Sequence, residues 1–234
     1  ARLGITNHLP DQKRFTPKNA KLGPAECIDH LGLEYVTIAE RLKTVGYRTA
    51  FMGKWHICGD WSGKDGGKGD ARYHPEHQGF DINIGGTSYG GPPSFFSPYR
   101  NATLPDGEPG EYLPDRLVDE AIGFIRDHKA RPWMVHLWFY TVHWPMQAPE
   151  SLLKKYAERT GPGLNDTRYG AMIEAMDFQI NRLINHIDIN DTTIIFLGDN
   201  GTDSNVIQPP YDSAGRAKGS LYEGGTHVPF LIYG

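Results

Sequence analysis

The sequence predicts an α/β fold in which a mostly parallel central sheet carries helices on both faces. Amphipathic helical segments alternate along the chain with short runs that are nearly all apolar. Such runs belong in strands buried on both sides, as parallel strands are. Polar clusters come after three of the runs, at the carboxyl ends where open parallel sheets bind ligands.

Thr37-Ile38-Ala39-Glu40 has the spacing of a capping box; Ile38, Leu42 and Val45 then share one helical face, and Gly46 supplies a stop. Tyr47 to Met52 reads as a strand that breaks at Gly53 into Lys54-Trp55-His56. Leu117, Val118, Ala121, Ile122 and Ile125 make a second amphipathic helix, and the apolar run Trp133 to Tyr140 comes next as a strand ending near His143. A longer helix is carried by Met172, Ile173, Met176, Ile180, Leu183, Ile184 and Ile187. After it, the β-branched run Thr192 to Leu197 closes at Gly198-Asp199-Asn200-Gly201, and Val228 to Tyr233 is a fourth strand. Residues 57–114 are rich in Gly, Pro, Ser and aromatics without a sustained period, and read as long loops covering a site. One domain over residues 1–234 is the expectation.

Composition narrows the function classes. The 234 residues are 38% hydrophobic and 12% aromatic, enough for one sizeable core. A net charge of -4 from 24 basic and 28 acidic residues, mixed along the chain, lacks the basic footprint of a nucleic-acid binder. No apolar stretch is long enough to span a bilayer. Cys27 and Cys58 form neither a C-x-x-C pair nor a zinc pattern. The opening Ala1-Arg2-Leu3-Gly4 carries no leader-like pattern, so targeting is not legible from it.

Lys54 and His56, two residues apart after a strand, can present an ammonium and an imidazole to one anion. Asp199 and Asn200 bring the hard oxygen donors that calcium or magnesium prefers, between two glycines that allow a tight turn. Taken singly, an Asp-Asn-Gly is a turn and a Lys-x-His is weak. Together they fit a longer pattern. The stretch Thr37 to His56, with Gly46-Tyr47-Arg48-Thr49 and Gly53-Lys54-Trp55-His56, is similar to the second signature of the sulfatases of the alkaline phosphatase superfamily. Gly79-Phe80-Asp81, His143-Trp144-Pro145, Gly198-Asp199-Asn200-Gly201 and the run Lys218 to Pro229 match further motifs in family order.

The resemblance implies an alkaline phosphatase-like fold, incomplete at both ends, and hydrolysis of aryl or carbohydrate sulfates. It implies that Lys54 and Lys218 hold sulfate oxygens, that His143 contacts the sulfate or protonates the leaving alcohol, and that His56 acts as acid and base beside the nucleophile. Asp199 and Asn200 would supply half of a Ca2+ site, with Mg2+ as the other candidate. A sulfated small molecule or glycan is the implied substrate, and a periplasmic, secreted or lysosomal location the implied setting. The family nucleophile is a formylglycine made from the first residue of C/S-x-P-x-R, and no such motif occurs here: Cys27 precedes Ile-Asp-His-Leu and Cys58 precedes Gly-Asp-Trp-Ser. Ala1 to Thr6 resembles the stretch a short distance downstream of that motif, so the formylglycine is expected upstream and this segment is expected to be inactive alone. The family's early Asp-Asp ligands are missing as well. Two other readings stand beside this one. A phosphodiester or phosphonate hydrolase could use the same scaffold, and a non-catalytic homologue could bind sulfated glycans. Retention of six costly polar groups argues against the second.

Other features carry less. His74-Pro75-Glu76-His77 lacks the i, i+4 spacing of two helical ligands and reads as loop packing or surface. His136, inside an apolar strand, reads as a satisfied core histidine. Gly63 to Gly69 lacks the spacing of a phosphate loop and reads as a flexible surface loop. Asn101, Asn165, Asn190 and Asn200 begin glycosylation patterns of the kind that arise easily by chance.

Overall fold

A computed structural model describes residues 18–22, 28–159, 165–206 and 216–234. The chain divides into two compact units, one up to Tyr140 and one from Thr141 onward.

The first unit is built on β1 (Arg48–Gly53), the middle strand of a parallel three-stranded sheet. β2 (Ile82–Ile84) lies on one side and β3 (Trp133–Trp138) on the other, with Ala50 opposite both Ile82 and Val135. Five of the six residues of β1 are buried, as a two-sided central strand requires. β2 gives no signal in the sequence, because three residues are too short to show a period.

Helix α1 (Ile38–Lys43) forms where the capping box places it. Glu40 N donates to Thr37 Oγ1 at 3.1 Å, and Thr37 N donates to Glu40 Oε2 at 2.7 Å. Thr37 Oγ1 also donates to Gln78 O, at 2.7 Å, which ties the helix start to the chain just ahead of β2. The stripe Ile38, Leu42 and Val45 is not the docking face: Ile38 and Val45 are exposed, and Ala39 is buried with Phe51, Trp55, Cys58 and Phe80. A helix of under two turns sits close through its smallest residue, and Gly79 permits the approach, because a Cβ there would meet Glu40 N at 2.5 Å.

Helix α2 (Leu113–His128) links β2 to β3, and Pro114 suits its first turn. Leu117, Val118, Ala121, Phe124 and Ile125 are buried along one stripe. Its Ile122 and Phe124 line a groove with Met52, Ile82 and Ile84. Phe51, alternating with Met52 along β1, joins Ala39 of α1 instead. Helices therefore cover both faces of this sheet.

In the second unit, α3 (Glu150–Tyr156) and α4 (Thr167–Ile184) are joined by the Lys155–Glu174 ion pair. Asp166 caps α4 by accepting from Arg168 N at 2.9 Å. β4 (Ile194–Leu197) and β5 (Phe230–Tyr233) form where the sequence places strands, and pair antiparallel with Ile194 opposite Tyr233. Ile195, Leu197 and all of β5 are exposed among the described residues. No helix of the described residues is long and apolar enough to cross a membrane.

Asp81 clasps the start of β1. Its carboxylate accepts from Thr49 N at 3.0 Å and lies 2.9 Å from Lys43 Nζ and 3.6 Å from Arg48 Nε, while its own N–H donates to Thr49 O at 2.9 Å. Burial opposes its ionisation, but the bonds from Lys43 and Thr49 and the charges of Lys43 and Arg48 outweigh it and hold the carboxyl below its usual 3.8. Asp81→Asn should lower stability by about 1–3 kcal/mol in urea unfolding at neutral pH. A depressed native pKa contributes fully above the unfolded value and is lost as pH falls through the native one, so the gap should close below about pH 4. A gap independent of pH would show that the charge of Asp81 is not what holds the clasp.

Candidate functional site

The first group of candidate residues lies just past the carboxyl end of β1. Gly53 has φ +106°, and a Cβ on it would fall 2.0 Å from Trp138 O. Only glycine lets the strand pass so close to β3 before it turns. Lys54 N then donates to that same Trp138 oxygen at 2.8 Å. Trp55 turns inward: it is buried, donates Nε1–H to Tyr73 O at 2.9 Å, and meets the Phe51 ring edge-on at 4.9 Å. Lys54 and His56 flank this anchor and are both partly exposed. The backbone of His56 is held from both sides, since its N–H donates to Thr87 O at 2.8 Å and its carbonyl accepts from Trp61 Nε1 at 3.3 Å.

The second group belongs to the second unit. Asp199 and Asn200 come directly after β4 and are exposed. Asn200 Nδ2 donates to Gly201 O at 3.0 Å, so the amide presents Oδ1 on its other side. Gly201 N donates to Gly225 O at 2.9 Å, Lys218 N donates to Thr202 O at 2.9 Å, and a Cβ on Gly201 would lie 1.9 Å from Gly224 O. Gly225 is confined as well, since a Cβ on it would lie 2.3 Å from Ser220 O. The Gly198–Gly201 turn and the segment from Lys218 through α5 (Glu223–Thr226) are thus interleaved, which brings the backbone of Lys218 to the turn that carries Asp199 and Asn200. His143 is partly exposed, and its Nδ1–H donates to Trp144 O at 3.1 Å, which sets the tautomer because a carbonyl only accepts.

The family model for Sulfatase matches residues 6–234. The chain belongs to the sulfatase family. It is 29% identical over 233 residues to the uncharacterized sulfatase YdeN of Escherichia coli K12, across 88% of this chain and 40% of that protein. It is 26% identical over 220 residues to an arylsulfatase of Hemicentrotus pulcherrimus, across 85% and 38%. The crystal structure of Ps i-CgsB in complex with k-i-k-neocarrahexaose shares the fold, with a TM-score of 0.70 at 22% identity over 89% of this chain and 49% of that one. This sulfatase chain therefore spans about two fifths of the length of the curated relatives it matches.

Other residues of the sulfatase chain also find their places. Cys58 is a free, fully buried thiol whose pKa is pushed up to about 12 by burial and then by the charges of Asp70, Glu76 and Asp29, so it stays neutral and shielded. Cys27 and the stretch Ala1 to Thr6 lie outside the described residues. Among the described residues no group of three or more His, Cys, Asp and Glu side chains could hold a metal ion. His74 is buried with Nε2 on Lys68 O, whereas His77 is exposed. His136 departs from the expectation of a satisfied histidine: its buried Nδ1 has no hydrogen-bond partner among the described residues. The ring is held by aromatic packing instead, 5.3 Å from Trp138 and 5.2 Å from Phe80, and burial lowers its pKa. The Gly63–Gly69 loop is more structured than a surface loop, because Gly67 O accepts from Ser88 and Gly66 O from Ala102. Trp61 and Thr87, which hold His56, give no signal in the sequence, since neither lies in a motif or a period.

Gly201→Ala should force the two interleaved loops apart and destabilise the second unit by roughly 2 kcal/mol or more. Amide exchange at Gly201 and Lys218 should accelerate well beyond that in β1. Unchanged exchange at both amides would contradict the interleaving.

Proposed function

We propose that the protein carrying this chain hydrolyses sulfate esters, aryl or carbohydrate, and that residues 1–234 are part of a single catalytic domain for that reaction. Lys54 and Lys218 hold the sulfate oxygens and offset the charge that builds in the transition state. His143 binds the same group or protonates the departing alcohol. His56 hydrogen-bonds the nucleophile and exchanges its proton. What carries the reading is the presentation of Lys54 and His56 on either side of the buried Trp55, one turn beyond the middle strand of a parallel sheet.

The family uses a metal ion. Asp199 and Asn200 fit half of a calcium or magnesium site: an exposed carboxylate stands next to an amide oriented to offer its oxygen. When bound, the cation polarises the sulfate ester as a Lewis acid. Calcium favours six to eight oxygens, so these two side chains by themselves bind it weakly. The nucleophile is a formylglycine supplied from outside this sequence, because no C/S-x-P-x-R occurs in it and Cys58 is buried and neutral. The substrate is a sulfated small molecule or glycan, and the setting is periplasmic, secreted or lysosomal. The neocarrahexaose complex of the structural neighbour favours a carbohydrate.

The full-length protein should turn over 4-nitrophenyl sulfate, and Lys54→Ala should reduce kcat/KM by roughly 100- to 1000-fold. Chelation should lower both activity and melting temperature, and calcium should restore both. The 234-residue chain by itself should show no turnover above its own Lys54→Ala variant. Faster hydrolysis of an aryl phosphonate than of the sulfate would favour the phosphonate reading, and glycan binding without turnover would favour a non-catalytic one.

A further inference from the structure

His56 is an unusual residue for its backbone position. Its φ of +61° lies in the left-handed region, where a residue with a Cβ is strained and glycine is the default. Such strain persists only where the surroundings over-determine it. Here they do. Thr87 O takes the amide and Trp61 Nε1 takes the carbonyl, at 2.8 and 3.3 Å. The indole of Trp61 also meets the imidazole edge-on, with ring centroids 5.9 Å apart at 70°.

The ring is confined as closely as the backbone. A Cβ built on Gly90 would lie 2.7, 3.0 and 3.1 Å from His56 Cε1, Nε2 and Nδ1. All three of its nearest neighbours are imidazole atoms, so the ring rests against the bare Cα of Gly90. The segment behind it is fixed in turn. Gly85 O accepts from the buried Tyr140 hydroxyl at 2.9 Å and from Asn101 Nδ2 at 3.1 Å, and Ser88 donates both its N–H and its hydroxyl to Gly67 O. Thr87 and Ser88 are buried.

We propose that the Thr87–Gly90 segment and Trp61 are positioning elements for His56, and that position 90 is glycine because the imidazole fills the place of its side chain. The inference rests on the acid-base role given to His56 above. Gly90 is not in the left-handed region, so an alanine there avoids that strain and acts on the ring.

The test compares Gly90→Ala, His56→Ala and the double variant in the full-length protein, assayed on 4-nitrophenyl sulfate. Gly123→Ala, on α2 where a Cβ meets nothing within 4 Å among the described residues, is the control for folding and activity. Gly90→Ala should lower kcat by roughly 10- to 100-fold with KM little changed, as a small misplacement of a reacting group does. The His56 ring resonances should shift, and Gly90→Ala should bring no further loss once His56 is alanine. Trp61→Phe keeps an aromatic edge but removes the N–H, and should give a smaller loss of the same kind; it carries the test if Gly90→Ala fails to fold. Wild-type kcat in both Gly90→Ala and Trp61→Phe, with His56→Ala impaired, overturns the positioning role alone. Equal losses with and without His56 overturn it too. Full activity of His56→Ala overturns the acid-base assignment beneath it.

Discussion

The first unit depends on one close approach, the passage of Gly53 against the carbonyl of Trp138. β1 and β3 stay in register from Arg48 opposite Trp133 to Gly53 opposite Trp138, and at the last pair a side-chain carbon would lie 2.0 Å from the partner's oxygen. The missing Cβ and the φ of +106° let the chain leave the sheet at that pair and no later. Lys54 then satisfies the Trp138 carbonyl through its backbone N–H. Trp55 is buried in the core, and its chain neighbours Lys54 and His56 are partly exposed. Alanine at position 53 would lose this whole sequence of turns.

The strand that makes this turn is anchored at both ends. At its start, Asp81 gathers Thr49, Lys43 and Arg48. At its finish, Phe51 packs edge-on against Trp55, Phe80 and Trp138 at 4.9, 5.4 and 5.1 Å. Aromatic pairs of this kind add about 0.5–1.5 kcal/mol each beyond the area they bury. A turn built on such a strand is held in advance: the backbone positions of Lys54 and His56 are set by packing and by the bonds to Trp138 O and Thr87 O. The same aromatic wall explains why His136 tolerates an unsatisfied nitrogen, since its ring is stacked and burial keeps it neutral.

Sequence patterns reveal the elements wherever the local signal and the packing agree. The capping box at Thr37 sets the start of α1, the stripe from Leu117 to Ile125 sets α2, and the glycines at 53 and 201 mark turns that the backbone does make. The docking face of α1 is not the one its pattern suggests, because periodicity selects the apolar stripe while the close fit of a short helix selects Ala39. β2 is invisible for want of length. The antiparallel pairing of β4 with β5 depends on partners far apart in the chain, which no local pattern encodes. Motif spacing names Lys54 and His56 but not Trp61, Thr87 or Gly90. Those residues reach His56 only through the path of the 57–114 loops, and that path is set by tertiary contacts such as Tyr140 with Gly85.

The central claim is that the turn after β1 is an anion site. The most direct measurement is a crystal structure of the full-length protein soaked in inorganic sulfate. The account predicts a tetrahedral anion within hydrogen-bond distance of Lys54 Nζ and the His56 imidazole, with the backbone of residues 53–56 unmoved. A sulfate bound only elsewhere, with no anion at Lys54 and His56, would contradict it.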